Sequence, residues 1–129
     1  MSTLSVISVI DDDASVRAAT NNLVRSLGHT VHTFASAEEF LRSAHLNDTS
    51  CVIADVQMPA MSGVELLTLM RTQGYRVPFI FITAFPDESV RARALKAGAI
   101  SFLAKPFAAP TLIKCLGTGL KGHPGGADT

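Results

Sequence analysis

Five short apolar segments alternate with five segments of helical periodicity, and this alternation constrains the fold more than any other feature of the chain. The first apolar segment, residues 5–10, is rich in Val and Ile, as is typical of a strand buried on both faces. The other predicted strands are residues 30–34, 51–54, 78–82 and 99–104. Strict alternation of strands and helices predicts an α/β fold, in which a parallel sheet has helices on both faces.

The helical segments have apolar residues three or four positions apart and residues that favour helix ends. Gly28 ends the first, the box Ser36-Ala37-Glu38-Glu39 begins the second, and Pro110 begins the last. The predicted helices lie within residues 16–27, 36–44, 63–72, 87–97 and 110–120. Since glycines are frequent from Gly117 onwards, we expect a frayed helix end there. We divide the chain into one domain, residues 1–120, and a flexible tail or truncated linker, residues 121–129.

Size and composition suit one globular domain and argue against several classes of protein. The 129 residues suffice to bury a core without a disulfide or a structural metal. No apolar run approaches the ~18 residues of a membrane span, and no basic leader precedes the first strand. Cys51 and Cys115 form no zinc-type motif, so we expect reduced thiols in a cytoplasmic protein without membrane contact. A net charge of zero argues against direct nucleic-acid binding.

Charged and polar residues follow four of the five predicted strands. Asp11 and Asp12 follow the first, Asp55 the third, Thr83 the fourth and Lys105 the fifth. In open α/β sheets, ligands bind beyond the carboxyl ends of the strands. Residues 1–60 contain seven acidic and three basic residues, whereas the remainder contains four and eight. We therefore expect an acidic pocket from the first half of the chain, faced by Lys105 from the second.

Each of these residues has a simpler explanation when it is taken alone. Asp13 can cap the first helix, and Asp11 and Asp12 can favour the positive end of its dipole. Carboxylates gathered near Asp55, however, must raise a pKa or attract a cation. Oxygen ligands with water in the remaining positions suit Mg²⁺, which usually takes one or two protein carboxylates.

Taken together, the same residues specify a group-transfer chemistry. A carboxylate such as Asp55 can attack phosphorus and form an acyl phosphate. Mg²⁺ beside Asp11 and Asp12 would screen the approach of an anionic donor. Lys105 and Thr83 would hold the transferred oxygens, because phosphoryl transfer relies mainly on positioning and charge stabilisation.

The ordered motifs of the chain, from Ser5 to Leu116, resemble those of response-regulator receiver domains of bacterial two-component signalling. The matching segments are residues 9–13, 54–63, 82–84, 96–99 and 102–107. The run from Met61 to Leu67 is similar to receivers of the nitrogen-fixation regulator type. The resemblance implies a chemotaxis-receiver-like fold, with a five-stranded parallel sheet of order 2-1-3-4-5 flanked by five helices.

The resemblance also implies a function for the residues at the strand ends. Asp55 would accept a phosphoryl group from a histidine kinase, and Lys105 would contact that group. Asp12, Asp55 and the backbone carbonyl of Gln57 would bind Mg²⁺, with Asp11 acting through a metal-bound water. The domain would be no enzyme in the usual sense, since it would assist only its own phosphorylation and dephosphorylation.

The implied switch uses Thr83, whose hydroxyl would turn onto the phosphoryl group, and Phe102, which would change its rotamer. The altered surface would be helix 4, strand 5 and helix 5, and a phosphorylation-dependent homodimer would form through helix 4 and strand 5. Packing alone also explains an aromatic residue at Phe102. Two outputs remain open: transcription regulation through an output domain not in this chain, or a free-standing receiver that acts by protein contact or phosphorelay.

Three other functions fit the pattern less well. A dehalogenase-like phosphatase would usually need a second Asp two residues after its nucleophile, where this chain has Gln57. A flavodoxin-like protein would need a Ser/Thr/Gly-rich phosphate loop after the first strand, where this chain has three aspartates. A receiver that only binds partners would be expected to lack Asp55, Lys105 or the acid pair.

Overall fold

The computed structural model describes residues 5–122, within which five parallel strands form one sheet. The strands are β1 (Val6–Ile10), β2 (Thr30–Phe34), β3 (Cys51–Asp55), β4 (Phe79–Thr83) and β5 (Ser101–Ala104). Their order in the sheet is β2-β1-β3-β4-β5, and every neighbouring pair is parallel. The predicted fold class and strand order are therefore confirmed.

Five helices connect and follow the strands, and four of them begin at a side-chain cap. The helices are α1 (Ala14–Ser26), α2 (Ala37–Leu41), α3 (Gly63–Thr72), α4 (Glu88–Ala97) and α5 (Ala109–Gly122). The caps of α1 to α4 are Asp13, Ser36, Ser62 and Asp87. Each cap oxygen accepts a backbone N–H that has no partner inside the helix, which explains why the helices begin at these residues.

The helices cover both faces of the sheet and divide the hydrophobic core into two parts. On one face, Phe40 of α2 and Phe79 of β4 belong to a core that α3 and α4 complete. On the other face, Val24 of α1 and Leu112 of α5 pack on the sheet. β3 and β4 are buried along their whole length, as their apolar sequences predict. Within the described part of the chain, none of the helices has the length and hydrophobicity of a membrane span.

α2 and α5 differ most from their predicted lengths. α2 ends at Leu41, and a single 3-10 turn at Leu46–Asp48 continues the connection to β3. α5 extends to Gly122, two residues beyond its predicted end, and the fraying expected from Gly117 stays a prediction. Gly119 is buried, and a Cβ there would lie only 2.7 Å from Cδ1 of Ile100, so α5 uses this glycine to approach the α4–β5 connection. Most of the predicted tail lies outside the described residues, and its flexibility stays a prediction.

The start of α3 packs directly against the end of β3, and Gly63 makes this contact possible. A Cβ at Gly63 would collide with the backbone oxygen of Asp55 and would lie 2.8 Å from Cε1 of Phe81. The N–H of Gly63 donates to the backbone oxygen of Val56 at 2.9 Å. In the connecting loop, Ala60 has a φ of 67°, a left-handed conformation that costs a residue with a Cβ about 1 kcal/mol. The backbone behind Asp55 is therefore tightly constrained.

We expect Gly63→Ala to lower the free energy of unfolding by about 1–3 kcal/mol, because the added methyl group must displace the Asp55 backbone or the Phe81 ring. Gly117→Ala in α5 is the matched control, since no atom lies within 4 Å of a Cβ there. Alanine should stabilise that helix by about 0.5–1 kcal/mol. Urea denaturation measures both changes, and a Gly63→Ala variant as stable as the native chain would contradict this account of the packing.

Candidate functional site

Three carboxylates lie together at the carboxyl edge of the sheet. Asp11 directly follows β1, Asp12 is the next residue, and Asp55 is the last residue of β3. Because β1 and β3 are neighbours, one carboxylate oxygen from each residue lies within 4.8 Å of the other two. Asp11 is fully buried and Asp55 is 6% exposed, whereas Asp12 is exposed. The grouping that the sequence predicted is therefore present.

Lys105 supplies the positive charge at this edge. Its Nζ lies 3.0 Å from Oδ2 of Asp11 and 3.1 Å from Oδ2 of Asp55. The N–H of Lys105 donates to the backbone oxygen of Thr83 at 2.7 Å, and its peptide bond to Pro106 is cis. Since β4 lies between β5 and β3, a long side chain is needed to reach Asp55 from the end of β5. One lysine thus faces two buried carboxylates.

Opposing contributions from burial and from neighbouring charges set the pKa values of Asp55 and Lys105, and both values are raised. Burial raises the pKa of Asp55, and the negative charge of Asp11 raises it further, against the effects of Lys105 and of the Gln57 N–H. That N–H donates to Oδ1 of Asp55 at 3.1 Å. Burial alone would lower the pKa of Lys105, but its contacts with Asp11 and Asp55 and their charges outweigh burial and raise it. The lysine therefore remains charged between partly uncompensated carboxylates.

The acidic group fits a divalent cation with oxygen ligands. Oδ2 of Asp11 is buried and accepts no hydrogen bond from the described residues, although the charge of Lys105 lies beside it. A buried oxygen with a free lone pair, the exposed carboxylate of Asp12 and an excess of negative charge form a donor set that Mg²⁺ accepts together with water. The Gln57 side chain is exposed. The predicted contact of its backbone carbonyl with the metal stays a prediction.

Thr83 and Phe102 occupy different parts of the structure. Thr83, the last residue of β4, is 1% exposed, and its Oγ1 accepts a hydrogen bond from the N–H of Phe85 at 3.1 Å. It therefore belongs to the same edge of the sheet as Asp55. Phe102 lies within β5, where it is half-buried and paired in register with Phe81. It does not contribute to the group of charges.

The third aspartate of the triplet is a helix cap. Oδ1 of Asp13 accepts hydrogen bonds from the backbone N–H groups of Ser15 and Val16, as the simpler explanation of the triplet predicts. Arg17 also contacts the site, although the sequence did not predict it: its Nη1 donates to the backbone oxygen of Asp11 at 2.6 Å. A basic residue in the helix that directly follows an acidic triplet was the available signal for this contact.

We expect Asp55→Asn to raise the melting temperature of the metal-free protein at pH 7 by roughly 4 °C, the shift for about 1 kcal/mol. Because the pKa of Asp55 is raised in the fold, its contribution to stability is present below its ordinary pKa near 4 and lost as the pH rises through the raised value. The gain from Asp55→Asn should therefore shrink as the pH falls towards 4. Thermal melts in the presence of a chelator measure both effects.

Asp13→Asn is the matched control for this experiment. Hydrogen bonds from Ser15 lower the pKa of Asp13, so its ionised form stabilises the fold and its replacement should not raise the melting temperature. An Asp55→Asn variant that melts below the native chain at pH 7 would show that the ion pair with Lys105 outweighs burial and repulsion.

Comparisons with known proteins identify the family of this chain. Residues 7–117 match the model of the response regulator receiver domain. The response regulator protein TodT of Pseudomonas putida is 39% identical over 120 residues, which are 93% of this chain and 53% of TodT. The transcriptional regulatory protein FixJ of Bradyrhizobium diazoefficiens is 40% identical over 107 residues, which are 83% of this chain and 52% of FixJ. The chain thus spans about half the length of these relatives.

Solved structures share the fold. The crystal structure of FixJ-N matches with a TM-score of 0.83 and 31% identity, over 92% of this chain and 95% of that one. The structure of the response regulator StyR matches with a TM-score of 0.84 and 41% identity, over 92% of this chain and 60% of that one. By its sequence, its fold and its acidic edge, the chain belongs to the response regulator receiver domains, the signalling domains of two-component systems.

Proposed function

We propose that this receiver domain accepts a phosphoryl group on Asp55 from a histidine kinase, with the help of Mg²⁺. The observation that carries the proposal is the grouping of Asp55 with Asp11, Asp12 and Lys105 at the carboxyl edge of the sheet. Asp11 is fully buried, so a donor cannot reach it, and Asp12 forms no ion pair with Lys105. Of the three carboxylates, Asp55 alone combines an ion pair with the lysine and some exposure of its side chain, 8%.

In the proposed transfer, a carboxylate oxygen of Asp55 forms a bond to phosphorus while the bond from phosphorus to the kinase histidine breaks. The histidine nitrogen keeps the electron pair and takes up a proton from solvent. Lys105 turns its charge from the carboxylates to the transferred oxygens, and Thr83 offers them a hydroxyl. The chain assists only its own phosphorylation and dephosphorylation, so it is a signalling acceptor and no enzyme acting on other substrates.

Asp12, Asp55 and the backbone carbonyl of Gln57 would hold Mg²⁺, and Asp11 would reach it through a water molecule. When bound, the ion supplies positive charge that reduces the repulsion between an anionic donor and the anionic acceptor. The buried Oδ2 of Asp11 accepts no hydrogen bond among residues 5–122 and has only the ion pair with Lys105, which supports this assignment.

Phosphorylation would reach the surface through Thr83 and Phe102. In the present structure the Thr83 hydroxyl accepts a hydrogen bond from Phe85, and a phosphoryl group on Asp55 would give this hydroxyl a charged acceptor to which it can donate. Phe102 is half-buried beside a pocket that Leu95 of α4 also lines. A change in the Phe102 rotamer would therefore alter the α4–β5 surface and, through it, the α5 surface.

The altered surface suits a phosphorylation-dependent homodimer through α4 and β5. Three of the large apolar side chains exposed in the described structure lie on or beside these elements and α5: Leu95 and Ile100, each 37% exposed, and Ile113, 40% exposed. The charged side chains of α4 border them, among them Arg91 and Lys96. Exposed apolar surface with a polar border is typical of protein interaction sites.

The output of the switch is proposed to be transcription regulation through an output domain outside residues 1–120. Relatives of which this chain spans about half the length are named as transcriptional regulatory proteins, FixJ among them. The receiver itself would contact neither nucleic acid nor membrane, and residues 121–129 would be a tail or linker. Cys51 and Cys115 are free thiols, which favours a cytoplasmic location. The alternative is a free-standing receiver that acts by protein contact or phosphorelay.

Incubation with acetyl phosphate and Mg²⁺ should add one phosphoryl group, detected by intact-protein mass spectrometry. The adduct should be absent from Asp55→Asn and absent when a chelator is added. Asp13→Asn, which changes the neighbouring helix cap, should retain it, because asparagine also caps helices. An adduct on Asp55→Asn would contradict the assignment of the acceptor, and a native chain that gains no adduct would contradict the proposed function.

The phosphorylated chain should elute as a dimer in size-exclusion chromatography with light scattering. Leu95→Lys should abolish the dimer without affecting the phosphoryl adduct, because a charge would be buried in the interface. Leu27→Lys is the matched control: Leu27 is 38% exposed at the end of α1 and should have no effect on dimerisation. Thr83→Ala should form the adduct but remain monomeric. A phosphorylated Leu95→Lys variant that still forms the dimer would place the interface elsewhere.

A further inference from the structure

We propose that Arg17 is a positioning residue of the acidic site, which holds the Asp11–Asp12 peptide in the orientation needed to bind Mg²⁺. Nη1 of Arg17, on α1, donates to the backbone oxygen of Asp11 at 2.6 Å. This inference rests on the proposed function, because it assigns a further residue to the same metal site. The contact of Arg17 is with a backbone oxygen, and the sequence motifs that contain the carboxylates do not predict it.

The peptide that Arg17 contacts determines the position of Asp12. A peptide unit is planar, so a contact that fixes the carbonyl oxygen of Asp11 also fixes the N–H and the Cα of Asp12. The Asp12 carboxylate is exposed and makes no hydrogen bond or ion pair with any residue between 5 and 122. Its direction therefore depends on the backbone, which Arg17 holds from the side of α1.

Asp11 itself is held from three further directions. Its N–H donates to the backbone oxygen of Phe34 at 3.0 Å, and its Oδ1 accepts from the N–H of Asp13 at 2.9 Å. Lys105 lies beside its Oδ2. The carbonyl oxygen is the remaining polar atom, and Arg17 completes the set with a short hydrogen bond from a charged donor, a stronger type than one between neutral groups.

The surroundings of Arg17 favour this function over a structural ion pair. The side chain is half-buried, and no carboxylate in the described part of the chain forms an ion pair with it. The contact described for its guanidinium group is therefore the hydrogen bond to the backbone oxygen of Asp11. Such indirect contacts to metal ligands typically change metal affinity by about 10–100-fold when they are removed.

The direction of the change in Mg²⁺ affinity on replacing Arg17 distinguishes a positioning function from a purely electrostatic one. A positive charge near a metal site repels the cation, so loss of a purely electrostatic Arg17 would strengthen Mg²⁺ binding. Loss of a positioning Arg17 would weaken it, because Asp12 would no longer be held in place. Arg17→Lys keeps the charge but loses the planar guanidinium, so it should weaken binding only if geometry is what matters.

The test is a titration of the metal-free chain with Mg²⁺ by isothermal calorimetry. We expect Arg17→Met to raise the dissociation constant about tenfold, the lower end of the range for such contacts, and Arg17→Lys to raise it by a smaller factor. Arg25→Met, an exposed position in the last turn of the same helix, should leave the constant unchanged. Thermal melts of the metal-free variants establish that each is folded at the titration temperature.

A second measurement distinguishes positioning from a general loss of structure. The Mg²⁺ concentration that gives half-maximal adduct formation from acetyl phosphate should rise by the same factor in Arg17→Met. The rate at saturating Mg²⁺ should stay within about twofold of the native rate, since excess cation compensates for weaker binding. A dissociation constant that is unchanged or lower in Arg17→Met would overturn this inference alone, whereas a native chain that forms no adduct would overturn the proposed function.

Discussion

The charge of Lys105 between Asp11 and Asp55 is the interaction on which the rest of the site depends. Two buried carboxylates beside a third one repel each other, and burial adds to the cost of their ionisation. One lysine at 3.0 Å and 3.1 Å offsets part of this cost but leaves an excess of negative charge. Such an arrangement favours the binding of a further cation. It also favours the binding of an anionic group that can form an ion pair with Lys105 in place of the carboxylates. The same ion pairs thus affect both the stability of the fold at this edge of the sheet and the binding of ions there.

The backbone around these charges is more restricted than an ordinary loop. α3 begins so close to β3 that Gly63 has no room for a side chain, and Ala60 is held in a left-handed conformation. On the other side, Asp11 is held through its N–H, its carbonyl and its side chain. Carboxylates that repel each other keep their positions only if the backbone cannot move away, and these contacts restrict the backbone on both sides of the acidic residues.

Much of the fold could be predicted because each local signal agreed with the others. The apolar β-branched segments gave strands close to their observed positions, and the strand order followed from the family resemblance. Predictions failed where packing decided the outcome. α5 ends at Gly122, two residues beyond its predicted end, and packs closely at Gly119, which the glycine content of this segment conceals. The stacking of His32 on His45, with ring centroids 3.5 Å apart, joins residues whose spacing in the sequence shows no relation.

Local sequence patterns identify which residues stand at the carboxyl ends of the strands, because strand ends follow from local hydrophobicity and the residues that interrupt it. They therefore identify Asp11, Asp12, Asp55, Thr83 and Lys105 as one group. The three-dimensional packing sets the contacts among these residues: Lys105 reaches across β4 to two carboxylates, and Asp12 has no partner among the described residues. Arg17 donates a hydrogen bond to the backbone oxygen of Asp11. Those contacts depend on distances between elements far apart in the chain, which no local pattern encodes.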